Sequence, residues 1–315
     1  MTGASRPDGL VVCVPDLPER AHMGEMPAHV VVRVVNPESV TRADLADADM
    51  VVAVYRMRMA VLEALDGPPG RLRVIQTLSA GVDWLIGRVP GHITVSNARG
   101  VYDVPLAEWV VGAILAMQRG LVQSRDAQAR HEWQKIAPAE LSGARVVILG
   151  LGSIGTAIAE RLQPFGVEVI GVARGAREGV RVQADIDEVL RGAEIVVNML
   201  PLTTATAGLL DARRLALLPD GALVVNAGRG RTVDTDALVK ELRAGRLRAA
   251  LDAHEVEPLP ADHPLWDLPN VLVSPHIAGD SPETTIRAFE LAGDQVRRFA
   301  RGEPLLNEVA RYLLE

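Results

Sequence analysis

Polar and charged residues directly follow three apolar runs in the second half of the chain. Arg229 lies in the loop 226–230 after ALVVNA, two glutamates lie in 252–258 after RAALDA, and His276 lies in 274–279 after VLV. Because parallel strands of an α/β sheet end at one edge, where ligand crevices form, we expect these groups to converge. Arginine binds carboxylate or carbonyl oxygens, and histidine exchanges protons near neutral pH. The pattern therefore predicts a proton-transfer site beside an anion-binding guanidinium.

A carboxylate next to His276 would fix its tautomer and favour the imidazolium that acts as an acid. The residues alone leave four partners open: Asp252, Glu255, Glu257 and Asp280. No other histidine has a comparable setting. We expect structural or surface roles for the remaining six, which are His22, His29, His92, His131, His254 and His263.

A glycine-rich loop, Gly150-Leu151-Gly152-Ser153-Ile154-Gly155, follows the apolar run RVVIL and opens the helical segment TAIAERL. In such a loop the first glycine permits the tight turn, the second lets a pyrophosphate approach the backbone, and the third allows close helix–strand packing. The N–H groups at the helix N-terminus favour a bound phosphate. The strand–turn–helix context predicts a dinucleotide-binding site.

The tip of the next strand predicts which dinucleotide is bound. NAD-binding proteins usually place an acid there, about 20 residues past the loop, to bond the ribose 2′-hydroxyl. Here the strand ends Val-Ala-Arg174-Gly-Ala-Arg177, without an acid and with two arginines. Guanidinium groups bind a 2′-phosphate well. We therefore predict NADP, with NAD as the alternative.

Short continuous apolar runs alternate with amphipathic segments, which indicates parallel strands covered by helices on both faces. Five runs end near Asn97, and six more lie between 145 and 275. A long helical stretch from about Val104 to Ala129 separates the two sets, and another helix, about Pro282 to Arg301, follows the last strand. The predicted strands are 10–14, 29–35, 50–54, 74–78, 93–97, 145–149, 167–173, 194–200, 222–227, 248–253 and 271–275.

The two sets predict an α/β protein with two Rossmann-like or flavodoxin-like domains. The cofactor domain, 99–283, is inserted in a substrate domain formed by 1–98 and 284–315. The segments Thr156–Leu162 and Asp236–Arg243 are expected to be helical, with Gly245 ending the second in a left-handed conformation.

Composition excludes several classes of protein. The chain has 315 residues, enough for about two domains. Its formal net charge of −7 disfavours nucleic acid as a main partner. The single cysteine, Cys13, cannot form an intrachain disulfide, and no cysteine cluster can bind zinc, so we expect no metal. The longest apolar run noted, Trp109–Met117, is far shorter than the ~20 residues of a membrane span. We expect a soluble, cytoplasmic protein without a membrane partner.

Several blocks in order along the chain resemble the D-isomer-specific 2-hydroxyacid dehydrogenases, the family of D-lactate, D-glycerate/hydroxypyruvate and phosphoglycerate dehydrogenases. The blocks are LSAGVDWL (78–85), ITVSNARGVYDVPLAEW (93–109), LSGARVVILGLGSIG (141–155), NMLPLTTATAGLL (198–210), NAGRG (226–230), ALDAHEVEP (250–258) and LWDLPNVLVSPHIAG (265–279).

The resemblance implies a catalytic trio of Arg229, Glu257 and His276, and so selects Glu257 among the four acids. It implies that Asp252 holds the nicotinamide amide and that the backbone of Ser79, Ala80 and Gly81 binds the substrate carboxylate, beside Arg229 and His276. The full predicted cofactor set, including residues of the strand-end loops, is Gly150, Gly152, Ser153, Ile154, Gly155, Arg174, Leu200, Pro201, Thr206, Ala227, Gly228, Asp252, Ala278 and Gly279.

The implied activity is reversible hydride transfer between NAD(P)H and a small 2-keto acid, of the glyoxylate or hydroxypyruvate type, to give a D-2-hydroxy acid. The alternatives are a nicotinamide-sensing, corepressor-like binding protein and an NAD-dependent dehydrogenase of a bulkier 2-keto acid.

The sequence departs from the family pattern at Ala253-His254, where the family commonly has Val-Phe. A homodimer is expected. Tyr102, and Trp133 from a partner subunit, are candidate pocket walls.

Overall fold

The computed structural model describes residues 9–68, 70–175 and 178–313. Arg177, one of the two arginines at the predicted phosphate site, therefore lies outside the described residues. The chain divides into two compact units. The first is formed by residues 1–102 together with 280–315, and the second by residues 103–279. The second unit begins and ends a few residues inside the cofactor domain predicted at 99–283.

The first unit contains a parallel sheet of five strands in the order β2-β1-β3-β4-β5. All five strands predicted before residue 98 are confirmed, with slightly different ends. Their apolar side chains fill two buried clusters, in keeping with a sheet covered on both faces. The strands are β1 (Leu10–Pro15), β2 (Val30–Val35), β3 (Met50–Ala53), β4 (Val74–Thr77) and β5 (Thr94–Ser96).

The second unit contains a parallel sheet of seven strands in the order β12-β11-β10-β9-β6-β7-β8. Six of them were predicted. β8 was missed because Arg181 interrupts its apolar residues, Val-Arg-Val, so no continuous apolar run marks the strand. The strands are β6 (Arg145–Leu149), β7 (Glu168–Ala173), β8 (Val180–Val182), β9 (Ile195–Asn198), β10 (Leu223–Asn226), β11 (Arg248–Leu251) and β12 (Val271–Val273).

Strand order reverses beside β6, so its carboxyl end lies at the topological switch point where α/β sheets bind ligands. The helices are α1 (Arg42–Leu45), α2 (Arg58–Leu65), α3 (Asp103–Gln118), α4 (Leu121–Ala129), α5 (Ser153–Leu162), α6 (Ile186–Leu190), α7 (Ala212–Leu215), α8 (Thr235–Arg243) and α9 (Pro282–Arg301).

The helical stretch predicted from about Val104 to Ala129 is confirmed in extent, but it is not one continuous helix. It is divided between α3 and α4 at Gly120, which is left-handed with φ 65°. A Cβ at this glycine would lie 2.7 Å from Cγ2 of Ile136, because the segment after α4 folds back against it. Glycine alone combines the left-handed backbone with this close approach.

The left-handed Gly245 predicted after α8 is confirmed, and the structure shows further capping residues at helix ends. The Asp234 side chain accepts a hydrogen bond from the N–H of Ala237 at the start of α8, and Gly245 follows the helix with φ 67°. Helix α9 begins with a Ser281 cap and Pro282 and ends at left-handed Gly302. Within the described residues, no helix is both long and apolar enough to cross a membrane.

Candidate active site

The glycine-rich loop joins β6 to α5 as predicted, and two of its glycines are required by the protein itself. Gly150 has φ 96°, and a Cβ there would lie 2.7 Å from the Met199 carbonyl oxygen. A Cβ on Gly155 would collide with the carbonyl oxygen of Gly150. These two glycines allow the tight turn and the close helix–strand packing.

Gly152 has no such internal reason. Its φ is −80°, which any residue adopts, and a Cβ would meet no protein atom within 4 Å. It is the cap residue of α5 and, as a glycine, places no side chain over the N-terminus of that helix. The open space at Gly152 and the helix N-terminus behind it fit a dinucleotide pyrophosphate.

The other residues predicted to contact a cofactor lie around the same strand ends. Thr206 Oγ1 donates to the Pro201 carbonyl at 2.6 Å and accepts from the N–H of Thr203 at 2.8 Å, which fixes the loop after β9. A Cβ on Gly228 would lie 2.9 Å from the Asn198 carbonyl oxygen, so the turn after β10 packs on the same loop. Arg174 follows β7 and is exposed.

The structure pairs His276 with Glu257 among the four candidate acids. Nδ1 of His276 lies 2.8 Å from Oε2 of Glu257. Partial burial of the Glu257 carboxyl works to raise its pKa. The hydrogen bonds from the His254 backbone N–H and from His276 outweigh that effect, so the pKa of Glu257 lies below its ordinary value. The carboxylate therefore stays ionised beside the imidazole.

Asp252 is buried at the end of β11 and holds the segment that carries His276. Its Oδ1 accepts from Ser274 Oγ at 2.6 Å and from the N–H of Ile277 at 2.8 Å, and its Oδ2 accepts from the N–H of Ala278 at 2.9 Å. A carboxylate offers about four acceptor sites, and three are used here. The predicted bond to a nicotinamide amide would take the fourth.

The backbone of Arg229 is anchored by a buried network that the sequence reasoning missed. The Arg229 carbonyl accepts from Thr232 Oγ1 at 2.6 Å and from Asn226 Nδ2 at 3.2 Å. Asn198 Nδ2 in turn donates to Asn226 Oδ1 at 2.9 Å and to Thr232 Oγ1 at 2.6 Å. The available signal was an asparagine ending each of two otherwise apolar strands, where an unpaired amide would be costly.

His254, for which a structural or surface role was expected, is buried and makes two contacts within the site. The structure buries it to 8% exposure, with its imidazole Nε2 2.9 Å from the Ser274 carbonyl oxygen. Its backbone N–H donates to Glu257 Oε1 at 2.9 Å. His254 thus touches both the acid and the segment of the catalytic histidine candidate.

The predicted carboxylate-binding loop, Ser79–Gly81, lies in the first unit after β4. All three of its carbonyl groups accept hydrogen bonds, the Ser79 carbonyl from Thr77 Oγ1 at 2.8 Å, that of Ala80 from Asn97 Nδ2 at 2.7 Å, and that of Gly81 from Ser79 Oγ at 2.8 Å. The loop is therefore fixed through its acceptors. Among the described residues, no group of three or more His, Cys, Asp or Glu could hold a metal ion.

Comparison with known proteins identifies the family. Residues 111–278 match the family model of the D-isomer specific 2-hydroxyacid dehydrogenase NAD binding domain. A glyoxylate reductase of Thermofilum pendens is 36% identical over 258 residues, which cover 76% of this chain and 75% of that protein. The chain belongs to the D-isomer-specific 2-hydroxyacid dehydrogenase family.

Solved structures agree with this assignment. A probable 2-hydroxyacid dehydrogenase of Rhizobium etli, in complex with NADP, HEPES and L(+)-tartaric acid, is 30% identical with a TM-score of 0.81, over 98% of this chain and 99% of that one. An NADPH-dependent glyoxylate/hydroxypyruvate reductase of Sinorhizobium meliloti is 27% identical with a TM-score of 0.83, over 98% and 100%. The predicted family and fold class are confirmed, and the chain is an NAD(P)-dependent oxidoreductase.

Proposed function

We propose that this chain reduces a small 2-keto acid of the glyoxylate or hydroxypyruvate type to the D-2-hydroxy acid, with NADPH as the reductant. The observation that carries this proposal is the His276–Glu257 pair, with 2.8 Å between Nδ1 and Oε2, which follows strands of the same parallel sheet whose β6 leads into the glycine-rich loop. The glyoxylate reductase of Thermofilum pendens and the glyoxylate/hydroxypyruvate reductase of Sinorhizobium meliloti support the substrate class.

In this proposal the bound nicotinamide supplies the hydride. Because Glu257 engages Nδ1, the proton exchanged with the substrate oxygen is the one on Nε2 of His276. Arg229 binds the carboxylate or the developing alkoxide, with its backbone held by the buried Asn226 and Thr232. The backbone N–H groups of Ser79–Gly81 are the proposed ligands for the substrate carboxylate.

The preference for NADP over NAD rests on the strand tip after β7. Arg174 stands where NAD-binding relatives place an acid, and it is exposed. The relatives from Rhizobium etli and Sinorhizobium meliloti were both solved with NADP. We propose that the unit 103–279 binds this cofactor and that the other unit carries the substrate loop.

The proposed partner is a second copy of the chain. Trp133 is 97% exposed in an irregular segment after α4, and tryptophan is enriched at protein–protein interfaces. Light scattering coupled to size exclusion should give the mass of a dimer, and Trp133→Ala should weaken it. A cytoplasmic location remains a prediction.

The decisive experiment is steady-state turnover of purified protein with a panel of 2-keto acids, each with NADPH and NADH. We expect glyoxylate or hydroxypyruvate with NADPH to give the highest kcat/KM, and His276→Ala to lower kcat about 100-fold or more. Arg174→Ser should raise KM for NADPH and leave that for NADH nearly unchanged. Cofactor binding without turnover of any keto acid would instead favour a nicotinamide-sensing protein.

A further inference from the structure

His254 bridges the two segments that carry the proton-transfer pair. Its backbone N–H donates to Oε1 of Glu257 at 2.9 Å, while Oε2 of the same carboxylate meets Nδ1 of His276 at 2.8 Å. Its imidazole reaches the other segment, with Nε2 2.9 Å from the Ser274 carbonyl oxygen. One residue thus holds the acid through its main chain and the histidine segment through its side chain.

The chemistry of the second contact fixes the state of the His254 ring. A carbonyl oxygen only accepts hydrogen bonds. Nε2 of His254 therefore carries the ring hydrogen and donates a hydrogen bond to the Ser274 carbonyl oxygen. A phenyl ring at this position would have no donor to offer. The imidazole of His254 therefore gives the site a polar anchor.

The segment that receives this hydrogen bond contains a backbone conformation that surrounding contacts must stabilise. His276 has φ 56°, in the left-handed region that a non-glycine side chain disfavours. Such a conformation persists only where surrounding contacts impose it. Asp252 holds Ser274, Ile277 and Ala278 from one side. The bond from His254, two residues further along the same loop after β11, fixes this segment at the Ser274 carbonyl as well.

We propose that His254 is a positioning residue for proton transfer, which keeps the imidazole of His276 aligned with Glu257 through its bond to the Ser274 carbonyl. This inference rests on the proposed function. Misplacement of a reacting group by about 1 Å can lower turnover 100-fold, so a single bond of this kind has a measurable effect.

The site allows a clean set of variants. His254 borders a cavity of about 220 Å³, formed with residues that include Val233, Leu259 and His263, so a phenyl ring has room there. His254→Phe keeps an aromatic ring and removes the donor, whereas His254→Gln places an amide N–H near the position of Nε2. His263→Asn is the matched control. It changes another histidine of the same cavity while retaining an acceptor for the N–H of Leu265.

We expect His254→Phe to lower kcat about tenfold with little change in KM for NADPH, and His254→Gln to restore most of that loss. His263→Asn should turn over like the unaltered protein. If folded His254→Phe keeps full kcat, or if His254→Gln is as impaired as His254→Phe at the same Tm, the inference is overturned, because bulk rather than the hydrogen bond would then matter.

A second measurement does not depend on turnover. Long-range ¹H–¹⁵N NMR spectra should show a protonated Nε2 on His254 and ring signals of His276 that shift in His254→Phe and return in His254→Gln. Unmoved His276 signals in His254→Phe would overturn the inference. If the unaltered protein reduces no keto acid, the proposed function fails, and these spectra still decide whether His254 positions His276.

Discussion

Gly230 lies against the backbone of His254 so closely that a Cβ on Gly230 would overlap the His254 carbonyl group and the nitrogen of Glu255. Its φ is not in the left-handed region, so the requirement for glycine comes from this contact alone. The contact joins the turn that carries Arg229 to the loop that carries Glu257. Two of the three proposed catalytic residues are therefore set by the approach of two main chains.

Gly230→Ala should separate these two loops. We expect a Tm lower by several degrees, because backbone atoms cannot yield as a flexible side chain would, and a kcat reduced more than about tenfold. Steady-state kinetics and thermal unfolding measure both effects. Gly112→Ala is the control, since a Cβ there meets nothing within 4 Å and the residue lies inside α3. An active, fully stable Gly230→Ala protein would contradict this account.

The buried hydrogen bonds that hold the Arg229 backbone predict how substitutions of Thr232 affect stability and activity. Thr232→Val keeps the shape of the side chain but removes the hydroxyl that donates to the Arg229 carbonyl and accepts from Asn198. The Arg229 carbonyl and the Asn198 amide each keep a bond to Asn226, so two buried hydrogen bonds are lost, which should lower the free energy of unfolding by about 1–3 kcal/mol. Because the backbone of Arg229 is then held less firmly, kcat/KM should fall as well. Thr232→Ser keeps the hydroxyl and should retain both properties. A Thr232→Ser protein as impaired as Thr232→Val would contradict the assignment of these effects to the hydroxyl.

The glycine-rich loop offers a contrast between two of its glycines. Gly155→Ala should destabilise the protein without any ligand, because its Cβ would collide with the Gly150 carbonyl oxygen. Gly152→Ala should leave the unliganded Tm unchanged and raise Kd for NADPH about tenfold or more, since only a bound pyrophosphate would meet the new methyl group. Fluorescence titration with NADPH and thermal unfolding separate the two. Unchanged NADPH affinity in Gly152→Ala would place the pyrophosphate elsewhere.

The sequence predicted the architecture well because the signal that defines it is local. Continuous apolar runs bounded by turns identified eleven of the strands, since strands of a buried parallel sheet are apolar on both faces. β8 was missed because Arg181 separates its two valines, so no continuous apolar run marks the strand, and the break at Gly120 was missed because it depends on contact with Ile136. Neither feature is visible within a short window of sequence.

The site was harder to predict than the fold. Residue types alone could not choose among Asp252, Glu255, Glu257 and Asp280 as the partner of His276, and the family resemblance made that choice. The roles of Asn198, Thr232 and His254 depend on which carbonyl each side chain reaches, and those carbonyls belong to residues 3 to 28 positions away. Such pairings follow from strand order and loop conformation, which short-range patterns do not encode.

Tyr102 is hydrogen-bonded next to the proposed substrate loop, and its ionisation makes the stability of the protein depend on pH. Its hydroxyl donates to the Leu78 carbonyl, just before Ser79, at 2.6 Å. Burial, with a smaller effect of the negative charge of Asp280, raises the pKa of Tyr102 to about 12. A phenol with a raised pKa stabilises the folded state fully below its unfolded value of about 10, and this contribution is lost as the pH rises from there through about 12.

Tyr102→Phe removes both the hydrogen bond and the titrating group. The difference in free energy of unfolding between the two proteins, measured by urea denaturation, should be constant from about pH 7 to 9. It should then change in favour of the variant by on the order of 2 kcal/mol as the pH rises from about 10 to 12. At pH 7.5 the variant should show a higher KM for the keto acid, because the carbonyl preceding Ser79 is no longer fixed. A stability difference that stays flat through pH 11 would mean that the phenol of Tyr102 ionises as readily in the folded as in the unfolded chain.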